Sequence, residues 1–457
     1  MKPGSNWQYG VLACGVAISA ILVIVFPDFY HHGDIGIQMV WVEQWNKGWK
    51  EIYNTCSSCD YPIIGTFVAA GIPKLLSRIG FSDTVWWFRF CLAVVDGANV
   101  FLVFLLFREL KIKNAALWAG LIGVSLSSWA GGGVWGNIDD VSQFLLLLIV
   151  WWMVKSNLSG KIPIALYLGV CVFLTAMLFL TKHLNVFNLL SIEFILTVSV
   201  FIGRKRLPAA GYWLLQLALL FVFIFWWDLP LTIDGPYVSH LQLIWRTPGR
   251  LGDFLSNNGI NIWMLLGRDM LSSSALPLFP ESPVGLLRWL TPFNAGIGLF
   301  AIIVGAFSLS TAWTIWKCKE PGSQLLNREA LLNGILHLAL VNLAYNVLLT
   351  GTHERYLYNF YPFVLLACLG LEAYDPRFSK YLAALLLIGA NVYGYFVLGI
   401  LTGDFSFRFQ VHKSLAVFHA GLLFLLLAIV FLYQRTKIIN SRSHPSIVSP
   451  VGIPGSG

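Results

Sequence analysis

Charge is scarce in this chain. Only 11% of its 457 residues are Asp, Glu, Lys or Arg, where an ordinary soluble domain carries about 25%. That shortage excludes two or three soluble domains, which the length alone would allow. Internal repetition is missing too, which argues against a transporter assembled from inverted halves. No small-residue cleavage motif follows the first apolar run, so that run is expected to remain as a membrane span. No lipidation motif is present. Cysteine is sparse, at seven residues. Cys14, Cys91, Cys171, Cys318 and Cys368 lie in or beside apolar runs and read as inert thiols. Cys56 and Cys59 form one C-x-x-C pair, too few ligands for a four-coordinate zinc site. A small disulfide and two free thiols remain the open alternatives.

What is there is apolar: 57% hydrophobic residues and a mean hydropathy of +0.72. A membrane-spanning helix needs about 20 such residues. Apolar runs fall near 7–27, 85–107, 114–130, 141–154, 162–181, 186–203, 208–227, 291–316, 330–350, 357–374, 380–401 and 414–433. The expected fold is therefore an all-α polytopic membrane protein with about twelve spans, forming one domain over 1–439. The short runs 114–130 and 141–154 should extend or tilt. Nineteen Trp and sixteen Tyr suit interfacial anchoring. The Ser-, Pro- and Gly-rich segment 440–457 is expected to be disordered.

The formal charge of +8 points to anionic lipid and not to nucleic acid, because Lys and Arg cluster in alternate loops. With the N-terminus in the cytoplasm, the inside loops carry Arg108, Lys111, Lys113, Lys155, Lys161, Arg204, Lys205, Arg206, Lys317, Lys319, Arg328, Arg377, Lys380, Arg435 and Lys437. The outer segments are then 27–84, 131–140, 181–184, 228–290, 351–356 and 402–414. Every conspicuous polar cluster falls on that side. The first segment, 27–84, should hold two interfacial helices, near 34–49 and 62–79. Ile37, Val40, Trp41, Gln44 and Trp45 give the former its stripe. The long segment 228–290 should pack beside it.

Several side chains there suit chemistry at a membrane surface. Asp34 fits both a helix N-cap and a general base. Trp135-Gly136-Asn137-Ile138-Asp139-Asp140 places two acids beside a glycine-rich turn, which suits a sugar, a cation or a solvated helix cap. Lys182 lies on the side where cations are rare, so an anionic partner such as a lipid phosphate is expected, or snorkelling to the interface. His353-Glu354-Arg355-Tyr356 squeezes ionisable groups between two spans, where Arg355 could hold a phosphate bidentately or simply pair with Glu354. Arg89 and Asp96, seven residues apart in one span, share a helix face and read as structural. Asn258, Asn261 and Trp263 add a weak signal.

Taken in order, Gly33-Asp34 with Trp41 or Trp45, Cys59-Asp60-Tyr61-Pro62, Trp135-Gly136-Asn137-Ile138-Asp139 and His353-Glu354-Arg355-Tyr356-Leu357-Tyr358 with Pro362 resemble the GT-C superfamily of membrane glycosyltransferases. They look most like bacterial mannosyltransferase-like members related to the dolichol-phosphate-glucose glucosyltransferases of the endoplasmic reticulum. The resemblance spans residues 33–362. It implies an inverting enzyme of the plasma membrane. Such an enzyme moves a sugar, a hexose such as mannose or glucose, from a polyprenyl-phosphate carrier to a glycan, lipid or protein acceptor outside the cytoplasm. Asp34 would be the base. Lys182, His353, Glu354, Arg355 and Tyr356 would surround the donor phosphate. Asp60, Tyr61, Trp135, Asn137, Asp139, Asn261 and Trp263 would form the sugar or acceptor site. No cofactor is implied, and a divalent metal is left open. The chain departs from the family pattern at Asn137, where Gln is usual, at Asp140 for Ser, at His183 for Pro and at Ile63 for Pro. A transporter or flippase of a lipid-linked saccharide is the alternative, and it calls for a polar path through the whole membrane.

Overall fold

The computed structural model describes residues 6–48, 53, 61–203, 206–233, 253–256, 259–266, 272–317, 326–370, 376–403 and 405–443. Among these all regular structure is helical, apart from one isolated bridge between Phe254 and Ser273. The helices are α1 (Asn6–Val25), α2 (His32–Lys47), α3 (Ile63–Thr66), α4 (Ile72–Arg78), α5 (Thr84–Glu109), α6 (Ala115–Val124), α7 (Asp139–Ser159), α8 (Ile164–Thr181), α9 (Val186–Gly203), α10 (Arg206–Ile233), α11 (Pro292–Lys317), α12 (Arg328–Leu348), α13 (Phe360–Gly370), α14 (Pro376–Leu401) and α15 (Phe405–Ser443), with single turns between some of them.

Eight helices among the described residues are long and apolar enough to cross a bilayer: α1, α5, α7, α8, α11, α12, and most of α14 and α15. The protein is an integral multi-pass membrane protein. The other four expected runs are helical over at least part of their length, α9 and α10 covering runs 186–203 and 208–227. Run 114–130 breaks where Ser125 turns extended after α6. Runs 186–203 and 208–227 hold the apolar stretches Val186–Ser199 and Leu214–Phe223. Run 357–374 begins as a 3-10 turn, Glu354–Asn359, before α13. The expected extension of run 141–154 does occur: α7 adds Asp139 and Asp140 at its start and residues 155–159 at its end. Helix α15 continues to Ser443, so residues 440–443 are helical where disorder was expected. Cys14, Cys91, Cys171 and Cys368 are free thiols. Cys56, Cys59 and Cys318 lie outside the described residues.

Helix α12 forms the centre. Nearly every side chain from Ala330 to Leu348 is buried, against α7, α9, α11, α13 and α15. Lipid tails are as apolar as leucine, so helices in a membrane associate through close packing and interhelical hydrogen bonds. Both occur here. His337 on α12 lies within hydrogen-bond distance of Ser191 (2.7 Å) and Ser308 (2.9 Å). Asn342 donates to Asn188 Oδ1 at 2.7 Å.

The segment 27–84 forms a collar across one end of the bundle. Its two helices fall close to the expected places, as α2 and as α3–α4 joined by a π turn, Phe67–Gly71. The inward stripe differs, however. Ile35, Gln38 and Trp41 are buried, whereas Ile37 and Val40 point outward. Ile35 and Trp41 pack with Ala69, Ala70, Phe88, Leu92 and Ile138. Gly65 lets the collar touch the bundle: a Cβ there would stand 2.0 Å from the carbonyl oxygen of Thr181, the residue before Lys182.

Arg89 fixes the collar's entry. Its guanidinium donates to the carbonyls of Pro27, Phe29 (2.8 Å), Gly133 (3.2 Å) and Val134 (3.4 Å). It thus ties the end of α1 to the glycine-rich turn. Asp96, expected beside it, is engaged elsewhere. It accepts from Ser19 Oγ (2.5 Å) and the Gly133 N–H (3.0 Å).

Candidate active site

Four elements meet at the collar: the first turn of α2, the start of α7, the residue after α8, and the 3-10 turn before α13. Each delivers one charged side chain. Asp34 accepts from the Trp135 indole N–H (2.7 Å) and from Asn137 Nδ2 (3.2 Å), and one guanidinium nitrogen of Arg355 lies 3.1 Å from the same carboxylate oxygen. The Nε of Arg355 donates to Asp139 Oδ2 at 3.0 Å. Lys182 Nζ donates to the other oxygen of Asp139. The result is a row of alternating charge, Asp34–Arg355–Asp139–Lys182, from residues up to 321 positions apart (355 minus 34). Side-chain exposure falls from 19% at Asp34 through 11% at Arg355 to 3% at Asp139, with Lys182 at 6%.

Local sequence explains how each group arrives. The cap of α2 is His31, whose Nδ1 accepts the Asp34 N–H at 3.1 Å. Asp34 is therefore not the cap, but sits in the first turn, where the helix dipole favours an acid. His31 also stacks on Trp135, centroids 4.5 Å apart, and its N–H donates to the Trp135 carbonyl at 3.1 Å. These contacts hold Asp34 and Trp135 as one unit. Asp139 opens α7, and Tyr358 Oη donates to its carbonyl, which joins α7 to the turn carrying Arg355.

The electrostatics follow from burial and pairing. Burial alone would raise the Asp34 carboxyl. The Arg355 guanidinium, the adjacent His31 ring and the hydrogen bond from Trp135 outweigh it and hold the group well below the usual carboxylate range. Burial pulls the Lys182 ammonium down, but the attraction of Asp139 and Tyr61 exceeds that, and the net direction is upward. Asp34 is thus held ionised and Lys182 protonated, and partners of opposite sign alternate along the row. Removing one partner of such a buried pair typically costs about 3–5 kcal/mol.

Aromatic rings wall the row. Lys182 Nζ lies 5.4 Å from the Tyr61 ring centroid and 5.1 Å from that of Tyr356. Arg355 sits 5.6 Å above Trp135. His353 packs its ring against Tyr356, 5.1 Å between centroids. Asp34, Tyr61, Trp135, Asn137, Asp139, Lys182, Arg355 and Tyr356 are therefore gathered in one place, with His353 at its edge. Asn261 and Trp263 play a different part. Asn261 donates to the Leu255 carbonyl and to Thr352, and Trp263 to the Leu348 carbonyl. They prop the loop ahead of Arg355 and give their polar atoms to it. Asp60, Asn258 and the side chains of His183 and Glu354 lie outside the described residues.

Sequence reasoning missed two features. Adjacent Asp139 and Asp140 part company. The first joins the charged row, while Asp140 turns to Asp96, and oxygens of both carboxyls stand over Gly132. Neither is the solvated turn considered above, because both are buried. Behind Lys182 lies a cleft lined by amides from α9, α12 and the turn after α8. Such residues read from sequence as ordinary helix interior. No family model matches the chain, and no curated protein matches it.

Proposed function

We propose that the protein is an inverting glycosyltransferase that moves a sugar from a polyprenyl-phosphate carrier to an acceptor hydroxyl at one face of the membrane. The observation that carries this reading is the bridging of Asp34 and Asp139 by Arg355, with Lys182 beside it. A base and two phosphate-seeking cations stand within reach of a single small group. The order of patches shared with GT-C enzymes supports the same reading. It adds about twelve spans, a plasma-membrane setting and a site on the extracytoplasmic side.

The chemistry follows from the charges. As the bond from C1 of the sugar to phosphate oxygen breaks, the carrier leaves as a phosphate monoester and gains negative charge. Fixed cations stabilise that state more than the ground state. The acceptor oxygen forms its bond to C1 from the opposite face, and its proton passes to Asp34. Such a base contributes about 10²–10⁴ in rate. In the unliganded row Arg355 suppresses the basicity of Asp34. An arriving phosphate competes for Arg355, so donor binding itself raises the proton affinity of Asp34. Base and donor are thereby coupled.

A transporter of the same lipid-linked sugar is the second reading, and one observation favours it. Helix α12 carries buried Asn333, His337, Asn342 and Asn346 along its length. However, the amides of Asn333, Asn342 and Asn346 each donate to a carbonyl one turn back, and His337 is packed by Phe194, 4.7 Å between centroids. That makes a closed seam, unlike a path. The first test is binding. Polyprenyl phosphate should raise the Tm of the purified protein in nanodiscs by mass action, and Arg355→Gln should remove that rise. An equal rise in both would take Arg355 out of phosphate recognition.

A further inference from the structure

The cleft behind Lys182 is built from groups that both donate and accept hydrogen bonds. Asn185, Asn188, Asn342, Asn359, Ser142 and Tyr356 line it, and Asp139 and Lys182 form the wall shared with the charged row. Asp139 and Lys182 neutralise each other, and burial holds the Tyr356 phenol protonated. The cleft therefore presents no net charge. Two of its polar atoms have no partner: Ser142 Oγ and Asn359 Oδ1, on residues only 2% and 6% exposed. Buried hydroxyls and amides are rarely left unpaired unless something else fills the space. Tyr345, 6.0 Å from Tyr356 and nearly parallel to it, supplies an apolar face at the same cleft.

We infer that this cleft receives the ring of an uncharged sugar, with the phosphate that carries it turned toward Lys182 and Arg355. Sugar hydroxyls both donate and accept, which matches amides and hydroxyls, and the C–H face of a pyranose matches Tyr345. A uronic acid or an amino sugar would bury an unpaired charge there. The assignment rests on the transferase reading and names its substrate class. As it stands the cleft holds about two water molecules. A pyranose ring exceeds that space, so its entry requires the Glu354–Asn359 turn, which carries Tyr356, Tyr358 and Asn359 of the lining, to move outward.

The test uses the full chain in nanodiscs and three probes on one lipid: bare polyprenyl phosphate, its neutral hexosyl derivative and its hexuronosyl derivative. The neutral derivative should bind tighter than the other two. Ser142→Leu, which fills the cleft, should abolish that advantage while leaving the bare lipid's affinity within about twofold. Ser142→Ala removes a hydroxyl that bonds nothing in the free protein, so it folds. It should weaken the neutral derivative by about 2–10-fold, the worth of one neutral hydrogen bond. If the bare lipid binds but the neutral sugar adds nothing, or both variants retain its advantage, the cleft holds only water and the inference is overturned. If the bare lipid itself fails to bind, the transferase reading falls, and the inference falls with it.

Discussion

At the scale of single residues the account turns on Asp34 and the groups that keep it charged. Its folded carboxyl lies below the ordinary value, so its contribution to stability is present above the unfolded pKa of about 4 and is lost as pH falls below that. Arg355→Gln removes the main lowering influence and leaves burial, which raises the group. In that variant the loss of stability below about pH 4 should shrink, and where burial lifts the folded carboxyl above its unfolded value stability should instead rise as pH falls, as thermal melts between pH 3 and 7 would detect. Coinciding pH profiles would separate Arg355 from Asp34. Asp34→Asn keeps the shape and the Trp135 contact. It should lower transfer by about 10²–10⁴ while polyprenyl phosphate still binds, measured by label transfer and by Tm. The individual charges of the row were legible because an ion in an apolar chain demands a partner. Their pairing was not. Arg355 sits beside Glu354 in sequence yet reaches Asp139, 216 positions away, and adjacent Asp139 and Asp140 leave α7 in different directions.

At the scale of elements, the collar decides where those residues stand. Arg89 holds four carbonyls of two separate segments, and only a planar guanidinium offers that fork. Arg89→Lys should destabilise the protein by about 3 kcal/mol or more, since each bond to a charged donor is worth about 1.5–3. An unchanged Tm would show that the collar is held otherwise. Gly132 is the second constraint. A Cβ there would stand 1.5 Å from Asp140 Oδ2 and 2.3 Å from Asp96 Oδ1. Gly132→Ala should therefore cost at least the 1–3 kcal/mol or so typical of overpacking, read as a lower Tm. The collar's helices were visible in the sequence as amphipathic stretches between turn residues. The stripe that packs was not, because Ile37 and Val40 are as apolar as Ile35 and Trp41. The choice is made by Phe88, Ile138 and Ala69, which come from later in the chain.

At the scale of the whole molecule, segments separated by spans converge on one end. Asp34, Asp139, Lys182 and Arg355 come from four of the six polar segments that the charge pattern assigned to one side. The others touch the same end, where His412 Nε2 lies 2.7 Å from the Gly259 carbonyl and Asn261 donates to Thr352. If that end faces away from the cytoplasm, a membrane-impermeant thiol reagent applied to whole cells should label Ser82→Cys and spare Lys161→Cys in a cysteine-free background. The reverse pattern would invert the orientation. The central claim is tested most directly by offering the purified protein a panel of radiolabelled polyprenyl-phosphate sugars with membrane extract as acceptor. The account predicts that label moves from at least one neutral-sugar donor with the wild type and stays with the lipid in Asp34→Asn. Label that stays on every donor with the wild type, or moves equally fast in both proteins, would contradict it.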